Sequence, residues 1–296
     1  QGTEDNNMGL DILPQTIGNA LVLGSIYAMV AVGLAIAFGV MQMANFSHGE
    51  LFMVGAYCVY VLYTLFGWPF ELAVIAAFPI VAAIGVIYER LIFRPTRGNV
   101  LAGFMATAGA GFILQVLISE WYGVGLPKSV QVPYPGGSDF MMMAISWQRL
   151  AIIPVTIAMV FGLWYFLTKV KDGKALRACA QDPEASVLQG IKLNKMTALA
   201  MAISGGFAGV GGALMAPIVS VNPYMGHDYA IIAFIVVIVG GMSSIPGAVL
   251  AAFILGFIHT FVSTFADSVY GMMIGVLFMA IVLIVKPTGL LGNVKV

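Results

Sequence analysis

The chain has 296 residues, 60% hydrophobic and only 9% charged, with thirteen cations balancing thirteen anions and a mean hydropathy of +0.99. Soluble globular domains carry about a quarter of their residues as charges, so composition excludes a water-soluble globular protein. Apolar runs near the ~20 residues that cross a bilayer recur throughout, at 15–40, 50–66, 70–88, 100–122, 150–167, 196–219, 229–242, 247–265 and 270–285. Nothing in hydrocarbon can satisfy free backbone groups, so such runs must be helical. The expected fold is an all-α polytopic membrane protein of eight or nine spans. The second and seventh runs are short enough to be half-helices or re-entrant segments.

The first seven residues precede Met8, are polar and lack periodicity; they read as a scar ahead of a native start. The first span has no basic flank and no small-residue cleavage site, so it should be a retained helix. Residues 8–296 then form a single transmembrane unit, since no connection is long enough for a soluble domain. Cys58 lies in a span and Cys179 in a polar connection, too far apart for a disulfide or a shared metal.

Charge is balanced in sum and one-sided in placement. Arg90, Arg94, Arg97, Lys169, Lys171, Lys174, Arg177, Lys192, Lys195, Lys286 and Lys295 fall on one side of a nine-span topology, leaving Lys128 and Arg149 on the other. By the positive-inside rule this predicts an external N-terminus and a cytoplasmic C-terminus. The 169–195 connection is then cytoplasmic and the 123–147 connection external. The latter, with Lys128, Pro133, Pro135 and Asp139, either docks an external protein or simply covers a pore mouth.

Small residues four apart form ladders at Gly103, Thr107 and Gly111, at Ala248, Ala252 and Gly256, and at Gly205 and Gly209. That spacing lets neighbouring helices approach closely. Near 240, Gly240 and Gly241 followed by Ser243-Ser244-Ile245-Pro246-Gly247 must break a helix. The break either lines a pathway, as broken helices in transporters do, or is a tight turn.

The cytoplasmic connection carries its own start and stop signals. Asp182 is an N-cap residue, Pro183 suits the first helical position, and Glu184 faces the positive end of the dipole. Gly190 is placed to end the helix in a left-handed conformation. A short extramembrane helix is expected from Pro183 to Gln189, with Leu188 and Ile191 offering apolar surface.

Glu184-Ala185-Ser186 followed by Gly190 resembles the EAA-x-x-x-G coupling motif of ABC-importer permeases, with Ser186 in place of the second Ala. Asn45-Phe46-Ser47-His48-Gly49-Glu50, Ile87-Tyr88-Glu89-Arg90 with Phe93-Arg94-Pro95, Gly240 through Ala248, and Pro287 through Gly292 resemble further segments of one branch. From about residue 15 to 292 the chain is similar to branched-chain amino acid permeases of the LivH type in the bacterial inner membrane. The resemblance implies a second, LivM-like permease subunit, two cytoplasmic ATPases that use ATP and Mg, and a periplasmic substrate-binding protein. The coupling residues would be Asp182, Pro183, Glu184, Ala185, Ser186, Leu188 and Gly190. A Walker A run is lacking, so this chain should bind no cofactor and be no enzyme. No nucleic-acid partner is expected.

Asn45, His48 and Glu50 are placed by the sequence at the cytoplasmic end of the first helix pair, either as pathway or gate residues or as a turn capping the second helix. Sequence neighbours cannot form a Ser–His–acid relay, so Ser47, His48 and Glu50 are no hydrolase site. With these residues at an end, no carboxylate sits within a span, which argues against a proton- or sodium-coupled carrier. Gln115 is the leading pore-lining candidate; an interhelical hydrogen bond is the alternative. The solute expected is a branched-chain amino acid or another small one such as urea, an amide or an aromatic acid. The rival reading is an ATP-independent channel or secondary transporter.

Overall fold

A computed structural model describes residues 4–123, 127–140 and 143–292. Lys295 and the first three residues of the chain lie outside them. In chain order the helices are α1 (Glu4–Met41), α2 (His48–Val59), α3 (Phe70–Tyr88), α4 (Val100–Tyr122), α5 (Trp147–Lys169), α6 (Lys171–Gln181), α7 (Pro183–Leu188), α8 (Leu193–Met215), α9 (Met225–Gly240), α10 (Ile245–Phe265) and α11 (Ser268–Val285). Helices α2 and α3 continue through π-helical turns at Tyr60–Leu65 and Glu89–Phe93. Each of the nine apolar runs is helical over most of its length. Among the described residues six helices are long and apolar enough to cross a membrane, and Met225–Gly240 and Val269–Val285 are shorter apolar helices.

Helix α1 is the axis of the bundle. Ile26, Ala28, Met29, Ala31, Val32 and Ala37 on it are fully buried, enclosed chiefly by α10, α8, α9 and α5. Without water between helices, close van der Waals packing holds such a bundle together, and the small-residue ladders supply it. A Cβ on Gly256 would stand 2.6 Å from the Cα of Gly24, so α10 meets α1 backbone to backbone. Gly205 and Gly209 pack against Val81 of α3, while Gly209 also meets Gly55 of α2. On α4 the buried residues are Gly103, Thr107, Gly111 and Ser119, a single narrow seam.

Two elements depart from the sequence reading. The fold is not purely α-helical, because in the outer connection, expected as a loop, β1 (Gly137–Phe140) and β2 (Met143–Ser146) pair antiparallel, with Gly137 opposite Ser146. Lys128 in the same connection bridges to Val221. The polar 169–195 connection holds two helices rather than one, α6 preceding α7.

Candidate functional site

At the basic end of the bundle, α5 stops at Lys169 and Val170 turns the chain into α6. Gly173 permits the turn: a Cβ there would overlap the carbonyl of Phe166. Gly173, Leu176 and Cys179, spaced by three, form the buried face of α6, and Lys195 Nζ bonds both carboxylate oxygens of Asp172 at 2.8 Å. Helix α7 follows with the caps that its sequence implies. Asp182 Oδ1 accepts from the Ala185 amide at 3.0 Å, Pro183 opens the helix and Gly190 closes it at φ +82°. Ser186 is buried and its hydroxyl donates to the Asp182 carbonyl at 2.7 Å. Glu184 and Ala185 are exposed, as are Val187 (50%) and Leu188 (87%).

Beside this pair lies a buried charge centre built on Glu89, which the sequence reading named only within a segment resembling the permease family, without a role. Arg94 donates to both oxygens of Glu89, at 3.3 and 2.8 Å, and Arg97 approaches to 3.6 Å. Thr197, in the second turn of α8, donates to Glu89 Oε1 at 2.8 Å, and Arg97 also donates to Asn194. The α3–α4 turn is thereby tied to the start of α8. Residues five apart do not meet on an α-helix; the π-helical turn at Glu89–Phe93 brings Arg94 onto Glu89, and no spacing rule pointed to it.

The second polar group lies inside the bundle, and its position corrects the sequence reading. Helix α1 ends at Met41, Gln42 takes φ +53°, and residues 43–47 run back along the helix instead of away from it. Met43, Asn45 and Ser47 are buried on this return. The His48 side chain meets the Val30 carbonyl, eleven residues before the end of α1, and Ser204, eleven residues into α8. At about 1.5 Å per residue that is about 16 Å from the basic end, so Asn45, His48 and Glu50 are not at a membrane face. Helix α2 begins mid-bundle, where a Cβ on Gly49 would overlap the carbonyl of Gly226 at the start of α9.

His48 is fully buried and satisfied on both ring nitrogens. Nε2 donates to Val30 O at 2.9 Å, which leaves Nδ1 to accept from the Ser204 hydroxyl at 3.4 Å. Ser47 makes no side-chain cap to α2; instead Asn45 Oδ1 accepts from the Ser47 amide and hydroxyl at 3.2 and 3.1 Å. Glu50 is 5% exposed, and Gln115 of α4 donates to its Oε1 at 2.7 Å. Glu50 Oε2 and Asn45 Nδ2 are buried without a hydrogen-bond partner. A carboxylate therefore does lie within the bundle, contrary to the expectation from the sequence.

Gly240 and Gly241 are not part of this group. They form a packed turn at the basic end: Gly240 lies on Gly247, Gly241 has φ +106°, and Leu290 and Leu291 donate to the carbonyls of Val239 and Gly240. Three residues before Val30 on α1, Tyr27 Oη and His259 Nδ1 stand 2.6 Å apart. Among the described residues no cluster of His, Cys, Asp and Glu could hold a metal ion.

Apolar helices around a buried axis, a half-length helix starting mid-bundle and a pair of short helices at one basic end define a polytopic membrane permease. The match to the family model described as "Branched-chain amino acid transport system / permease component" covers residues 16–283, and the chain belongs to that family. It is 32% identical over 299 residues to the high-affinity branched-chain amino acid transport system permease protein BraD of Pseudomonas aeruginosa, covering 95% of this chain and 96% of that one. It is 31% identical over 296 residues to the permease protein LivH of Escherichia coli K12, with the same coverage. Its fold is similar to the solved structure of PsaBC from Streptococcus pneumoniae in complex with Fab, at TM-score 0.55 and 15% identity, covering 94% of this chain and 95% of that chain. The protein is a LivH-type, multi-pass inner-membrane permease.

Proposed function

We propose that this chain is the permease subunit of an ATP-driven importer that carries branched-chain amino acids, or a related small solute, into the cytoplasm by alternating access. The observation that carries the reading is α7. A six-residue helix with both caps in place holds Val187 and Leu188 exposed at the basic end, where an apolar surface asks for a protein partner. That partner is a cytoplasmic ATPase subunit, present twice, which uses ATP and Mg; this chain holds neither.

In this reading the chain crosses the membrane in nine segments, α2 and α9 as partial ones, with the N-terminus outside and the basic end in the cytoplasm. A second permease subunit and a periplasmic binding protein complete the importer. Asn45, His48, Glu50 and Gln115 belong to the pathway or its gate, and Gly240 and Gly241 fix the turn between α9 and α10. Names of relatives support the substrate class and the multi-subunit setting.

The mid-bundle carboxylate favours a second reading, an ATP-independent ion-coupled carrier. One experiment separates the two. The complex is affinity-purified through this chain, and leucine uptake is followed in vesicles with and without ATP. Co-purified ATPase subunits and ATP-dependent uptake that Glu184→Lys abolishes support the importer. Uptake driven by an ion gradient through this chain alone rejects it.

A further inference from the structure

We propose that Glu50 is the group that takes the ammonium of the solute as it passes through the bundle, with Asn45 taking its carboxylate. The inference deepens the transport reading and rests on it.

Glu50 is an acid without a base. The salt bridges among the described residues join Arg94 and Arg97 to Glu89 and Lys195 to Asp172, and none reaches Glu50. Its one hydrogen-bond partner is the neutral amide of Gln115, which occupies Oε1 and leaves Oε2 open. A buried charge normally requires a paired opposite charge, and an ionisable group at membrane depth is a functional candidate by default. No cation among the described residues completes Glu50, which leaves its open oxygen to a group that arrives with the solute.

Asn45 supplies the complementary half. Its Oδ1 is held by the Ser47 amide and hydroxyl, so the amide plane is fixed, and Nδ2 is a buried donor with nothing to donate to. One free anionic acceptor and one free donor, on either side of the start of α2, match a zwitterion with an ammonium at one end and a carboxylate at the other. An ammonium offers three donors and needs fewer oxygens than a calcium or magnesium ion, which takes six or more. On one side α4 covers the site, with Gly111 resting on Ser47 and Glu50. Few other residues of α4 are buried, so parting of this seam would open the site.

The test uses the whole importer, with its binding protein, in proteoliposomes, and radiolabelled leucine as probe. Glu50→Gln keeps the shape and removes the charge; leucine uptake should fall by about tenfold or more, the worth of a hydrogen bond to a charged group. Glu50→Asp should recover part of that loss. Assembly of each variant complex is checked by size exclusion. In the wild-type complex, labelling of Glu50 by dicyclohexylcarbodiimide, read by mass spectrometry, should slow during leucine turnover, which tests the site even where a variant fails to assemble. An assembled Glu50→Gln complex with wild-type uptake, or labelling that leucine does not slow, overturns the proposal. A wild-type complex that moves no leucine, isoleucine or valine overturns the transport reading instead.

Discussion

Thr197 reaches across from α8 and donates its hydroxyl to Glu89 Oε1 at 2.8 Å, against a side chain that has no exposed surface. Glu89 thus collects one hydroxyl and two guanidinium groups at the junction of α3, α4 and α8. This junction adjoins the start of α8, where Lys195 also holds Asp172 of α6. The charge centre and α6 are both anchored on the first two turns of α8.

Removing one partner from a buried ion pair leaves an uncompensated charge, at a cost of about 3–5 kcal/mol. Arg94 is itself partly exposed, so water offsets some of that loss. Arg94→Ala is therefore expected to destabilise the protein by about 2–3 kcal/mol, read as a lower thermal unfolding midpoint in detergent. Thr197→Val leaves the charges in place and removes a hydroxyl that donates to Glu89 and accepts from Arg97 at 3.2 Å, and should cost about 1 kcal/mol. Equal effects from the two would show that the ion pair adds nothing.

Leu188 should matter for assembly and hardly at all for folding. It is 87% exposed and is the last residue of α7, so Leu188→Asp removes no packed contact within this chain. The expected outcome is loss of co-purifying ATPase subunits with an unchanged unfolding midpoint. Asp182→Ala acts differently, through the N-cap, and should cost about 1 kcal/mol of local helix stability. Retention of the ATPase by Leu188→Asp would remove α7 from the interface.

The lengths of the apolar runs and the caps of α7 were legible because both are local. Asp182, Pro183 and Gly190 act within a few residues of themselves. The return of the chain after Met41 was not legible. Asn45, His48 and Glu50 are polar residues following an apolar run, which reads as a membrane face, and the distant partners of His48 and Glu50 are Val30, Ser204 and Gln115. Pairings 18, 156 and 65 residues apart in sequence leave no trace in a hydropathy window. Helix α6 could have been found: Gly173, Leu176 and Cys179 repeat at three, but the first is a glycine and adds nothing to an apolar pattern. Glu89 hid among arginines that a positive-inside argument counts without pairing.

Cys179 should be slow toward thiol reagents. Burial pushes its thiol above the ordinary range, and the Ser186 hydroxyl beside it offsets this only in part. A raised thiol pKa means less thiolate at neutral pH, and the thiolate is the reactive form. Maleimide labelling of Cys179 is expected to be slow at neutral pH and to rise as pH climbs toward the raised value. Leu188→Cys, exposed on the neighbouring helix, should label quickly in the isolated chain and slowly in the full complex. Fast labelling of Cys179 in the folded chain would mean that α6 does not hold its buried face against the bundle.

The meeting of α2 and α9 rests on two glycines. A Cβ on Gly49 would overlap the Gly226 carbonyl, and one on Gly226 would overlap the Gly49 carbonyl. The obstacle on each side is backbone, which cannot rotate aside as a side chain can. Gly49→Ala must push two helix starts apart at mid-bundle, and overpacking of this kind costs about 1–3 kcal/mol. Glu50 follows Gly49 directly, so the same displacement should loosen its contact with Gln115. Gly49→Ala is expected to lower both the unfolding midpoint and the rate of solute uptake, whereas Gly109→Ala on α4, where a Cβ meets nothing within 4 Å, should change neither. The comparison separates a general intolerance of added methyl groups from the specific closeness of α2 and α9. A Gly49→Ala protein as stable and as active as Gly109→Ala would show that these two helix starts have room between them.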